Sequence, residues 1–200
     1  MKNIIFLVGS LRSESLNKKV AEKAATLLPE GYEASTFDIS GIPLYNADLD
    51  GENAPSDVLA LREAIIAADG VFWVTPEYNY SIPGVVKNII DWASRPMLPR
   101  HSMIGKPMNA VVATVSPTNG IRALTELKRL WSAVGGAPVT TFDFVVQQAN
   151  TKFVEQDGKE DLEPFATAGL QSAIDNLVRA IEHNIGASVR ANWDATWGNK

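Results

Sequence analysis

"GVFWVTPEYNYSIPGVVKNIIDWAS", residues 70–94, decides the fold. "GVFWVT" (70–75) is a continuous apolar run, as a strand covered on both faces requires. "PGVVKNIIDWAS" (83–94) opens with a proline that presets the first helical turn and repeats Val86, Ile89, Ile90 and Ala93 at helical spacing. Between them, Pro76 and Pro83 stiffen a loop that holds one carboxylate and two tyrosines. Strand, loop and helix in that order form the repeating unit of a parallel α/β sheet.

The same unit recurs on both sides. Strands are expected at "NIIFLV" (3–8), "YEASTFD" (32–38), "NAVVATV" (109–115) and "PVTTFDFVV" (138–146). Helices are expected at 18–28, 55–69, 121–136, where two glycines give a stop, and 163–186. Five strands alternating with helices predict a doubly wound, five-stranded parallel sheet with right-handed connections and helices on both faces. "NTKFVEQDGKED" (150–161) reads as an exposed loop or small hairpin around an Asp-Gly turn. One domain is expected over 1–188, followed by a tail, 189–200. Trp193 and Trp197 stand four apart in that tail: if it is helical, both rings share a face and dock on the body or on a partner, and otherwise it is a disordered end.

Composition excludes several chemistries. The chain has 200 residues, 46% hydrophobic, with a formal net charge of −5. That is enough for one core, and it offers no basic excess for nucleic acid. No apolar stretch reaches the 18 residues a membrane span needs, and the short apolar run after Met1 reads as a first strand rather than a signal peptide, so a cytoplasmic location is expected. There is no cysteine and there are two histidines, His101 and His183. Thiolate nucleophiles, cysteine zinc sites and iron–sulfur clusters are thereby excluded. Both histidines are expected at the surface, with no second histidine at i+3 or i+4 to share a metal. An enzyme built from this inventory must borrow its reactive group from a cofactor.

In doubly wound sheets, ligands collect at the carboxyl ends of the strands. Strand one delivers "GSLRSESLN" (9–17) there: Gly9 for close approach, the hydroxyls of Ser10, Ser13 and Ser15, Asn17, the planar cation Arg12, and the N–H groups of a helix start. It lacks both the triphosphate and the dinucleotide glycine patterns and suits a terminal monophosphate; a plain polar turn with an N-cap is the alternative. Strand three delivers "TPEYNYSIPG" (75–84), which offers aromatic faces and backbone groups to a planar heterocycle, or merely covers the end of the sheet. Strand four delivers "SPTNGIRA" (116–123), small, polar and opened by Gly120.

The first two loops together resemble the NADPH-dependent FMN reductase family, the flavodoxin-like quinone, chromate and azo-dye reductases. The likeness runs in motif order from the first strand to about residue 185. It implies that Ser10, Arg12, Ser15, Leu16 and Asn17 hold the FMN phosphate. It places Pro76, Glu77, Tyr78 and Asn79 at the isoalloxazine edge and Ser116 and Gly120 on the ring's other side. Where family members often have Gly-Gly-x-Arg, this chain has Gly120-Ile121-Arg122. The tail "ANWDATWGNK" has no counterpart.

The implied reaction takes a hydride from NADH or NADPH onto FMN and passes two electrons to a quinone, chromate, ferric chelate, nitro or azo compound, in ping-pong fashion at one open face. Glu77 is expected to orient its loop rather than to act as an acid or base. Helix 83–94 is apolar nearly all round through Val85 and Trp92. A second subunit is expected on its outer side, giving a homodimer or tetramer. Tyr78 and Arg95 are the candidates for contact with the reacting groups, Tyr80 and Arg95 reaching toward the partner's site; Arg95 alternatively only complements the end of its helix. The competing readings are a flavodoxin-like electron carrier, a regulatory FMN-binding protein, and a binder of phosphorylated sugars without flavin.

Overall fold

The computed structural model describes residues 1–51, 54–96, 101–156 and 158–198. Its sheet has the order β2-β1-β3-β4-β5, all parallel, built from β1 (Lys2–Val8), β2 (Tyr32–Phe37), β3 (Gly70–Thr75), β4 (Pro107–Ala113) and β5 (Ala137–Pro138). Strand order reverses between β1 and β3, the switch point at which such sheets bind ligands. Val8 pairs with Val74 and Thr75 with Val112, so the carboxyl tips of the three central strands end together.

Side chains of consecutive strand residues point to opposite faces. Ile4, Phe6, Phe72, Val74 and Val111 therefore enter one core, under α1 (Leu16–Ala25) and α5 (Pro164–Glu182). Ile5, Leu7, Val71, Trp73 and Val112 enter the other, under α2 (Ser56–Ala67), α3 (Gly84–Ala93) and α4 (Ile121–Ala133). Continuous apolar runs are what two covered faces demand.

Three expectations are corrected. The strand expected at 138–146 is split: β5 pairs with the start of β4, the chain leaves the sheet, and β6 (Val145–Val146) returns beside Val112 and Ala113. In between, Asp143 accepts from Lys128 at 2.6 Å. The Trp92 edge of α3, read as open to another subunit, is covered by the chain itself. Trp92 is fully buried against the chain's own Ala54, Val58 and Tyr45, and its indole N–H donates to the Pro43 carbonyl at 2.8 Å. Arg62 closes this cover, bonded to the Trp92 carbonyl at 3.1 Å and to Asp50 at 2.7 Å.

His101, expected at the surface, is buried, its ring edge-on to Trp193 with centroids 5.6 Å apart. Burial, with the Arg95 charge second, lowers its pKa to about 4. The lid over it is α6 (Ala187–Trp197), a helix that begins before the boundary expected at 188/189. Arg190 fastens α6 by donating to the Gly105 carbonyl at 2.6 Å, and the Trp193 and Trp197 rings lie 6.4 Å apart on one face.

The segment 150–161 contains a hairpin of β7 (Phe153–Gln156) and β8 (Lys159–Leu162); Asp157 of its expected turn lies outside the described residues. Among the described residues no helix is long and apolar enough to cross a membrane, and no cluster of potential metal ligands occurs.

Candidate functional site

The β1–α1 loop folds as its hydroxyls dictate. Ser15 is the N-cap of α1, its hydroxyl oxygen accepting the Lys18 N–H at 3.4 Å. The first N–H groups of a helix have no partner within it, and their dipole favours an anion. A β-carbon on Gly9 would stand 2.2 Å from Thr75 Oγ1 and 2.6 Å from Val86 Cγ2, so its bareness lets the tips of β1 and β3 pack together.

In the β3–α3 loop, Tyr78 and Ser81 exchange two backbone hydrogen bonds, at 3.0 and 3.1 Å. Asn79 and Tyr80 between them have φ of 51° and 64°. Positive φ at both central residues defines a type I′ turn, which asparagine tolerates and tyrosine does at a cost. The turn leaves Tyr78 and Tyr80 largely exposed, and Arg122 lies 4.9 Å from the Tyr80 ring centre.

Glu77 ties this loop to α4. One carboxylate oxygen accepts from Gly120 N–H at 2.9 Å and from Ala123 N–H at 3.0 Å, capping a helix whose own N-cap residue, Gly120, has no side chain. The Ser81 hydroxyl bonds to Glu126 one turn further along. The Glu77 carboxylate thereby joins the β3–α3 loop to the start of α4. Gly120 has φ of 120°, and a β-carbon on it would strike Val145 at 2.4 Å; its freedom serves the turn and the packing.

The two loops meet. One cavity of about 200 Å³ is walled by Ser10, Arg12, Ser15, Leu16 and Asn17 from the first and by Pro76, Glu77 and Tyr78 from the second. Its third wall is Ala113, Thr114 and Val115 at the tip of β4, which the sequence reading missed by starting that loop at Ser116. Asn79, Ser116, Gly120 and Arg95 lie outside the walls. Arg95 is exposed beyond the end of α3 and donates to the Ser94 carbonyl at 3.4 Å.

Two polar atoms of this cavity's lining residues are buried without a hydrogen-bond partner: Asn17 Oδ1 and Glu77 Oε1. The orientation of Asn17, which is 5% exposed, is fixed because its Nδ2 donates to the Ala113 carbonyl at 3.2 Å. Buried acceptors of this kind call for a donor.

The sequence profile of the NADPH-dependent FMN reductase family matches residues 2–151. The chain belongs to that family. An NAD(P)H-dependent FMN reductase of Pseudomonas aeruginosa is 39% identical over 76% of this chain and 82% of its own. A quinone reductase of Escherichia coli is 42% identical over 64% of this chain and 68% of its own. Among solved structures, the flavoenzyme NAD(P)H:(acceptor) oxidoreductase FerB of Paracoccus denitrificans superposes with a TM-score of 0.80 at 34% identity, over 92% of this chain and 99% of that one.

As a member of the FMN reductase family the chain is an oxidoreductase flavoenzyme, and the family uses FMN with NAD(P)H as reductant. The residues present fit that cofactor. Donors (helix N–H groups, hydroxyls and Arg12) gather where a phosphate needs them, and the unpartnered acceptors Asn17 Oδ1 and Glu77 Oε1 suit the hydroxyls and ring N–H of a flavin mononucleotide.

Proposed function

We propose that this chain is an FMN-dependent NAD(P)H:acceptor oxidoreductase that reduces quinones, with chromate, ferric chelates and nitro or azo compounds as further acceptors. The observation that carries this reading is the shared cavity, whose lining joins a helix start and Arg12 from one loop to Pro76, Glu77 and Tyr78 from the other, with two unpartnered buried acceptors on its lining residues Asn17 and Glu77. At about 200 Å³ it is smaller than a pocket for a whole drug-sized ligand. It suits the phosphate and sugar-alcohol tail, and residues 77–80 and 115–120 would border the ring.

When bound, FMN supplies the two-electron chemistry, accepting a hydride from NAD(P)H and returning both electrons to the acceptor. The protein's residues bind and orient. Arg12 neutralises the phosphate as Ser10, Ser15 and the N–H groups of Leu16 and Asn17 bond it. Asn17 Oδ1 and Glu77 Oε1 receive ligand donors. The Tyr78 N–H is committed to Ser81, so Glu77 and Asn79 are left to offer backbone N–H groups to the ring edge. Pro76 and the type I′ turn fix the ring's rim, with Ser116 and Gly120 flanking it.

Tyr78 and Tyr80 are 48% and 65% exposed, so no aromatic lid shields the rim. An open face favours a reductase, which must admit two visitors in turn, ping-pong, over an electron carrier, which shields its flavin. Arg95 and Tyr80 enter this reading across a homodimer, in which they reach the partner's site. A cytoplasmic location, where reduced nicotinamide is supplied, belongs to the same reading.

The test is the absorption spectrum of the purified protein, followed by NADH and NADPH titration with and without a quinone. A flavin spectrum, bleaching by nicotinamide and recovery on adding quinone are expected. A colourless protein that does not retain FMN would overturn the proposal.

A further inference from the structure

A second cleft, of about 440 Å³, lies on the other side of the phosphate loop, between the tips of β1 and β2. It is more than twice the size of the cavity described above, and Ser10 and Arg12 line both. We propose that this cleft seats the adenosine 2′-phosphate end of NADPH and that Lys18 sets a preference for NADPH over NADH. The inference rests on the reading of this chain as an NAD(P)H-dependent flavoenzyme and adds to it the choice of reductant.

The lining has the chemistry of a phosphorylated nucleoside. Leu11, 53% exposed, and half-buried Phe37 offer apolar surface to a heterocycle. Ser10, Ser13, Thr36 and Ser40 supply hydroxyls, and Arg12 and Lys18 supply two cations against one carboxylate, Asp38. That carboxylate is already engaged, accepting the Ser40 N–H at 2.9 Å. The same contact, with the Ser40 hydroxyl and then the Lys18 charge, holds Asp38 below its ordinary carboxylate range. Asp38 is thus ionised with Ser40 as its partner, and with Arg12 turned to the FMN phosphate Lys18 is the lining cation left to meet a 2′-phosphate. Lys18 lines the cleft, and its backbone N–H is anchored to the Ser15 cap, which fixes where its side chain leaves α1.

The geometry permits one dinucleotide to span both places. Neighbouring strands lie about 4.8 Å apart, so the tips of β2 and β4, three steps apart in the sheet order, are separated by roughly 15 Å. A reductant whose nicotinamide lies over the rim by β3 and β4 can extend back past the phosphate loop to the cleft.

An acidic residue at the tip of β2 is also the device by which dinucleotide-binding folds hold the ribose diol of NADH. The two possibilities give opposite results. With FMN-loaded protein, calorimetric titration of adenosine 2′,5′-bisphosphate is compared with 5′-AMP in the native chain, Lys18→Ala and Asp38→Asn.

Expected are at least about tenfold tighter binding of the bisphosphate by the native chain, loss of that margin in Lys18→Ala, and tighter binding in Asp38→Asn. The ratio of kcat/KM for NADPH to that for NADH should fall about tenfold in Lys18→Ala. Equal binding of both nucleotides by the native chain, or a Lys18→Ala variant that leaves binding and ratio unmoved, overturns the proposal while leaving the flavoenzyme reading intact. So does an Asp38→Asn variant that loses NADH turnover alone, which would assign the cleft to a ribose diol. A protein that holds no FMN and oxidises neither nucleotide sinks both.

Discussion

Glu77→Ala should separate the β3–α3 loop from α4. In the native chain one carboxylate oxygen serves two N–H groups at the start of α4, at 2.9 and 3.0 Å. Hydrogen bonds to a charged group contribute about 1.5–3 kcal/mol each, and a carboxylate at a helix N-terminus adds about 0.3–1 kcal/mol. Two bonds that share one oxygen on a half-exposed side chain do not reach the sum, and water reaches the freed N–H groups, so about 3 kcal/mol is expected for the alanine variant. Glu77→Gln keeps an acceptor and loses the charge, and should cost about 1 kcal/mol. With a urea slope of about 2 kcal/mol per molar, the midpoints should fall by about 1.5 M and 0.5 M. The assay is equilibrium urea unfolding of the flavin-free chain, read by the buried Trp73, Trp92 and Trp131. FMN affinity is measured in parallel and should weaken in the same order, alanine more than glutamine. An alanine variant whose midpoint stays within about 0.2 M of the native value would refute the reasoning. FMN loss at unchanged stability would leave Glu77 with its ligand contact alone and no positioning role.

The type I′ turn predicts that Tyr80→Gly is more stable than Tyr80→Ala by about 1 kcal/mol, because both lose the contact with Arg122 and only glycine escapes the cost of positive φ; equal thermal midpoints would contradict the strained turn. His101 predicts acid sensitivity, since its folded pKa of about 4 lies below the ordinary 6.5. Its contribution to stability is fully present above pH 6.5 and is lost as pH falls toward 4, up to about 3 kcal/mol, and His101→Phe, which keeps a ring against Trp193, should flatten that part of the stability profile.

The central strands were legible because burial on both faces leaves an unbroken apolar run, and β1, β3 and β4 begin and end within about two residues of where those runs place them. The edge was not. "PVTTFDFVV" has strand composition throughout, but only its two ends, near Pro138 and at Val145–Val146, lie beside β4, and pairing is decided by that neighbour. The Trp92 edge of α3 shows the same limit: its apolarity was read as burial, but the cover that the chain itself supplies was not foreseen, since Pro43, Tyr45 and Ala54 carry no periodic signal. His101 looked like a surface residue because the helix that buries it comes about 90 residues later. At the site, the loops could be read from their turn and cap chemistry. The Glu77 contact with Gly120 spans 43 positions and could not.

The two loops are held in different ways, and this bears on how the site works. The rim loop is bound across to α4 at two points, Glu77 to the helix start and Ser81 to Glu126, with the type I′ turn between them. Residues fixed at both ends and locked in a turn define a plane with little freedom, which is what positioning a ring for hydride transfer requires. The phosphate loop is anchored at its ends, Gly9 N–H to the Val74 carbonyl at 2.8 Å and Ser15 as the cap of α1, while Leu11, Arg12, Ser13 and Glu14 between them are exposed. Segments with few buried contacts open and adjust at low free-energy cost. A phosphate tolerates such adjustment because its oxygens accept donors from many directions. In the proposed reading the rigid loop would set the angle of the chemistry, and the adaptable one would supply the grip.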